Sequence, residues 1–161
     1  MNRSELVDYQ EEHNRLINNP LSYVPALKDR LFRMGHNNKI TIKPGVKLVT
    51  KEGKAAIKEA IDYLSKVKPR KVDLKISPAL CKAAQGHAKD SGKHAITGHI
   101  GSNGSTMNER IEKYVKEAEW IGENCNYSIF TNAKDVLLDL LIDDGVDDRS
   151  HRSTLFNTNF T

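Results

Sequence analysis

Residues 98–111 read GHIGSNGSTMNERI, and residues 122–128 read GENCNYS. The first stretch is a glycine-rich loop that runs into a helix start, where Thr106 can cap the helix while Glu109 reaches back, the T-x-x-E pattern of a capping box. Such a loop presents an imidazole, His99, beside bare backbone N–H groups. In the second stretch Glu123, Cys125 and Tyr127 alternate with Asn124, Asn126 and Ser128. Extended chain turns successive side chains to opposite faces, so the stretch reads as a strand with Glu123, Cys125 and Tyr127 on one side. A carboxylate on that side needs partners.

Upstream, Ser77 followed by Pro78 signals a helix start, and Leu80, Ala83, Ala84, His87 and Ala88 form an apolar stripe running to Gly92. His87 on that stripe reads as a hydrogen-bonded core histidine. Thr50 is the expected cap of a helix from Lys51 to about Val67, with Ile57, Ile61 and Leu64 at helical spacing and Pro69 closing it. Residues 37–49 read as extended chain broken by Pro44 and Gly45. Glu5 to Ile17 reads as an amphipathic helix ended by Asn18, Asn19 and Pro20, and Leu21 to Met34 as a second helix around Pro25. Downstream, Thr131 or Asn132 starts a helix carrying Val136, Leu137, Leu140 and Leu141, which Asp143, Asp144 and Gly145 terminate.

A chain of 161 residues suits one domain with a real core. Its apolar fraction of 38% is never concentrated into the roughly 20 residues a spanning helix needs. The first residues lack the apolar region of a secretory signal. The formal charge of +4 covers a basic middle and an acidic end. Without interleaved aromatic residues, the basic run reads as a solvated helix face, and nucleic acid is not an expected partner. Cys81 and Cys125 match no metal-ligand spacing, and the sequence leaves both a disulfide and two buried thiols open.

None of the six histidines shows the short HExxH spacing of a local zinc motif, so any site must be assembled by the fold. Taken singly, His99 is a turn histidine and Glu123 an ordinary ion-pair carboxylate. Asp143 ends a helix where its charge opposes the macrodipole, so it is either solvated or held by something cationic. His151 lies between Arg149 and Arg152 in a polar segment.

The four strings SPALCKAAQGHAKDSG (77–92), GHIGSNGSTMNERI, GENCNYS and LLIDDGVDDRSHRSTLFN (140–157) occur in the order and style of a bacterial-type CAP domain. The chain resembles this superfamily of cysteine-rich secretory, antigen 5 and pathogenesis-related 1 proteins over most of its length after about Asn37. The resemblance implies an α+β fold, a helix-rich three-layer αβα sandwich with a small antiparallel sheet that includes the Glu123 strand. It implies an N-terminal helical extension at 1–36 that joins a CAP domain at 37–161 in one compact unit. It also brings His99, Glu123, Asp143 and His151 together on the floor of a cleft. Three departures stand out: the family's second acid is usually Glu, so Asp143 and Asp144 both qualify; Ser150 stands where many relatives have Gly; and Thr161 falls where relatives continue into closing strands, so a sandwich truncated at the C-terminus is expected.

By the same resemblance, His99, His151 and Glu123 are expected to ligate zinc or another divalent cation, with Asp143 behind them or helping. The expected function is binding, on the bacterial outer surface or secreted, with anchoring as a lipoprotein through a removed N-terminal segment. The expected ligand is a sterol or other lipid, or a surface protein, and the expected state is a monomer. The alternative is a metal-dependent hydrolase, a peptidase or esterase; no Ser or Cys beside a base is evident as its nucleophile, which makes catalysis the weaker expectation.

Overall fold

The computed structural model describes residues 3–160. Helix α1 spans Arg3–Asn18 and is followed by one 3-10 turn, Pro20–Tyr23, and by α2, Val24–Arg33. Strands β1, Lys39–Lys43, and β2, Val46–Val49, form an antiparallel hairpin. Helices α3, Lys54–Lys66, and α4, Pro78–His94, come next, then α5, Met107–Glu112, α6, Ala133–Ile142, and α7, Ser150–Leu155. The fold is therefore α+β, rich in helix, with a small antiparallel sheet as expected, and the hairpin is the one sheet among the described residues. Its turn falls at Pro44 and Gly45, where Gly45 takes a φ of 79° that side chains resist.

The core explains the order of the elements. Leu16 and Ile17 of α1, Leu27 of α2, Ile40 of β1, Ile57 and Leu64 of α3, Leu137 and Leu141 of α6 and Leu155 of α7 are all buried in one cluster. α6 is apolar nearly all round, as a helix surrounded by partners must be. Arg30, itself buried, clamps α2 to α6 through Asp139 at 2.6 Å and Asp135 at 3.1 Å. The first helices thus share their apolar faces with α6 and α7, the two elements that carry Asp143 and His151.

The chain between α3 and α4 pairs with no strand. Two asparagines one helical turn apart on α1 take the place of a partner strand. The Asn18 amide donates to Val72 O at 2.6 Å and accepts from Val72 N at 3.0 Å, and Asn14 does the same for Leu74 at 3.0 and 2.8 Å. The ladder is satisfied by side chains instead of backbone.

Several local expectations hold and several give way. Ser77 accepts from Leu80 N, Asn132 accepts from Asp135 N, and Thr106 and Glu109 form the reciprocal capping box. Thr50 does not cap α3: its hydroxyl donates to Asn38 O, closing the hairpin, and α3 begins only after Gly53. The amides of Lys51 and Glu52 are taken by the carboxylate of Asp144 at 2.6 and 2.8 Å. The sequence puts Met107, Ile111 and Tyr114 on the inward face of α5, but Tyr114 lies beyond its end and is exposed, and Arg110 turns inward with Ile111. The segment around Glu123 is extended but pairs with no strand, so the sheet does not include it.

Candidate functional site

Gly98 organises one half of the site. With φ at 93° it turns its carbonyl toward three side chains, accepting from His87 Nε2 at 2.9 Å, Tyr127 Oη at 3.0 Å and Cys125 Sγ at 3.7 Å. Its N–H donates back to Tyr127 Oη at 2.9 Å. The alternation in GENCNYS thus survives without a ladder, since Glu123, Cys125 and Tyr127 all meet the 98–99 loop.

His99 follows directly. Its Nδ1 is 2.9 Å from Glu123 Oε1, and the ring is about half exposed. Arg110 holds the other side of the carboxylate, with Nη2 at 2.8 and 2.9 Å from the two oxygens, while its Nη1 donates to His99 O and Ser105 O, each at 2.9 Å. One guanidinium therefore fixes both the glutamate and the backbone that presents the histidine, a fork geometry that lysine lacks. Burial pushes the Glu123 carboxyl upward, but the bonds from His99 and Arg110 together outweigh it and hold the group below its ordinary range.

Asp143 and His151 make the second half. Asp143 closes α6 in the left-handed conformation, φ 57°, which turns its side chain back toward α7. Oδ1 lies 2.6 Å from His151 Nδ1, and Oδ2 accepts the Arg152 N–H at 3.1 Å. The buried charge is met by an imidazole and by a backbone amide of the first turn of α7. Of the two acids that qualify from the sequence, Asp143 pairs with the histidine and Asp144 braces α3. The Asp143–Arg149 loop is held by Arg149, which spans Glu52 at 2.6 Å and Glu59 at 2.7 Å and donates to Asp143 O at 2.7 Å. Arg152 adds a bond to Glu59 at 2.7 Å.

The structure arranges the four residues as two imidazole–carboxylate pairs. Asn124 joins them, because it neighbours Glu123 in sequence while its amide donates to His151 O at 3.0 Å. In each pair the carboxylate takes Nδ1 as a hydrogen-bond donor, and no hydrogen bond reaches either Nε2 among the described residues. His99, His151 and Glu123, the trio expected to ligate, do not form a close donor cluster. The group of described donors within 4.8 Å of one another is His87, Glu123 and Cys125.

Arg110, Asn124 and Cys125 were not singled out by sequence reasoning as parts of the site. Arg110 and Asn124 lie inside the NERI and GEN strings that carried the resemblance, and that position is the one signal that points to them. Cys125 does stand near a base, with Sγ 3.6 Å from His99 Nδ1, which corrects the expectation that no cysteine does. The same nitrogen is already bonded to Glu123, so the acid and the thiol compete for one atom instead of flanking the ring. Burial and the Glu123 charge both push the Cys125 thiol up, opposite to an activated nucleophile. Both cysteines are free.

No helix among the described residues is long and apolar enough to cross a membrane. No curated protein and no solved structure matches the chain. The cysteine-rich secretory protein family, CAP, matches residues 70–161, more than half of the chain and a range that holds all four residues of the two pairs. The chain belongs to the CAP family.

Proposed function

We propose that this CAP domain is a binding protein that works outside the cytoplasm and holds a divalent cation between the Nε2 atoms of His99 and His151. The observation that carries the reading is the paired orientation of the two rings. A metal-bound histidine typically gives its other nitrogen to a carboxylate, which fixes the tautomer and raises the basicity of the ligating atom. Glu123 and Asp143 both stand in that position, so the carboxylates orient the rings and the open nitrogens meet the ion. Imidazole with carboxylate support suits zinc better than magnesium. Glu123 serves this outer pair through its hydrogen bond with His99.

The partner we favour is a surface protein. Trp120, Tyr127 and Ile129 flank Glu123 and are each at least half exposed, a mixture of aromatic and aliphatic contact area suited to a protein surface. A sterol needs an enclosed apolar pocket. The cavity next to the site, between α4 and α5, is open and has Lys82, Asp90, Arg110 and Lys113 among its lining residues beside Ala83 and Tyr114, so charges interrupt its apolar wall. The hydrolase reading loses ground for the same geometric reason as the Cys125 nucleophile, because among the described residues no thiol or hydroxyl has a ring nitrogen to itself.

Imidazole nitrogen spectra test the reading. With neutral rings, His99 and His151 are expected to show protonated Nδ1 and bare Nε2, and zinc is expected to shift both Nε2 resonances together. Zinc that moves neither resonance overturns it.

A further inference from the structure

Beside the two pairs lies a second set of donors, drawn from two segments of the chain. His87 comes from the buried face of α4, Glu123 and Cys125 from the extended segment before α6. A ring nitrogen of His87, a carboxylate oxygen of Glu123 and Cys125 Sγ all lie within 4.8 Å of one another. His99 Nδ1, although 3.6 Å from the same sulfur, carries the proton bonded to Glu123 and stays outside the set. With Zn–S near 2.3 Å and Zn–N near 2.0–2.1 Å, tetrahedral ligation separates nitrogen and sulfur by about 3.6 Å.

His87 supplies an independent sign. The ring is 5% exposed, and a carbonyl only accepts, so Nε2 carries the proton that bonds to Gly98 O. Nδ1 then holds a buried lone pair, and no donor reaches it. Buried polar atoms without partners are uncommon and costly, and an ion-binding role is one of the few accounts of them. The charge balance also fits. Arg110 neutralises Glu123, and the thiolate formed when Cys125 gives its proton to solvent supplies the negative charge that a divalent ion requires.

We infer that His87, Glu123 and Cys125 form an inner binding site for a thiophilic divalent cation of the zinc or cobalt type. The site is separate from the proposed pair of Nε2 ligands on His99 and His151: Cys125 belongs to the inner site alone, and His151 to the outer one alone.

Cobalt(II) is the probe, because a thiolate–cobalt bond gives a charge-transfer absorption that imidazole and carboxylate ligands do not. The chain carrying Cys81→Ser, whose sole thiol is Cys125, is expected to show this absorption at one equivalent of cobalt and to be protected from alkylation by zinc. Cys125→Ser is expected to abolish the band, and His87→Asn to weaken it at least tenfold in cobalt concentration, in proteins whose circular dichroism is unchanged. His151→Ala is expected to leave it intact. Cobalt binding without the band, an absence of binding, or a band that survives Cys125→Ser each overturns the inner site. Loss of the band in His151→Ala places the thiol in the outer site and overturns the separation.

Discussion

Asp143 and His151 are locked by a 2.6 Å contact between Oδ1 and Nδ1, and the Asp143 side chain is 1% exposed. A carboxylate this deeply placed at the negative end of a helix is unfavourable unless it is fully paired. The pairing comes from His151 and from the Arg152 N–H, both on α7. The left-handed residue that ends α6 therefore also sets the position of α7.

Asp143→Asn isolates the charge, since asparagine tolerates the left-handed backbone and keeps one acceptor. One of the two donors must then face an amide N–H₂ and lose its partner. The variant is expected to fold and to lose about 1–3 kcal/mol in urea unfolding, the usual cost of leaving a buried group unsatisfied. An unchanged midpoint contradicts a structural role for the pair.

Much of this arrangement was legible in the sequence, and the boundary is physical. The helix caps, the end of α6 and the common side of Glu123, Cys125 and Tyr127 depend on residues within four positions of one another. The misread features depend on distant ones. Thr50 has the right chemistry for a cap, but Asp144, 93 residues from Lys51, takes the amides, and the hairpin takes the hydroxyl. Arg110 resembles a surface residue until the fold places Glu123 and the 98–99 loop around it. The segment at 122–128 has the alternation of a strand, but no strand lies beside it.

Arg149 links α3 to the loop before His151, and Glu52 is its main partner. The Arg149 hydrogen bond, with help from the Gly145 N–H, pulls the Glu52 carboxyl down to about 2. An unfolded glutamate titrates near ~4.3. Depression in the folded state means that the stabilisation is complete above that unfolded value and disappears as pH falls toward 2. Glu52→Gln is expected to lower stability at neutral pH and to flatten the fall in stability between about pH 4.5 and pH 2, since that proton is no longer taken up on unfolding. Glu52 is partly exposed, so solvent screens the effect and its size is small. Parallel acid limbs in the two proteins contradict the linkage.

Gly122 lies one residue before Glu123 and has Phe160 against it. A Cβ built there falls 2.7 Å from Phe160 Cζ and 3.3 Å from Thr154 Cγ2. Gly122→Ala is expected to destabilise the fold by about 1–3 kcal/mol, the range for overpacking. Adding Phe160→Leu is expected to recover part of that loss, a coupling that a double-mutant cycle reads directly. Additive effects contradict contact between the C-terminal segment and the site.

Calorimetric zinc titration of the Cys125→Ser chain, with and without the further changes His99→Ala and His151→Ala, addresses the outer site alone. At about pH 7.5 the Cys125→Ser chain is expected to bind one zinc ion. Removing both histidines is expected to abolish binding. Equal zinc affinity with and without His99 and His151 contradicts the account.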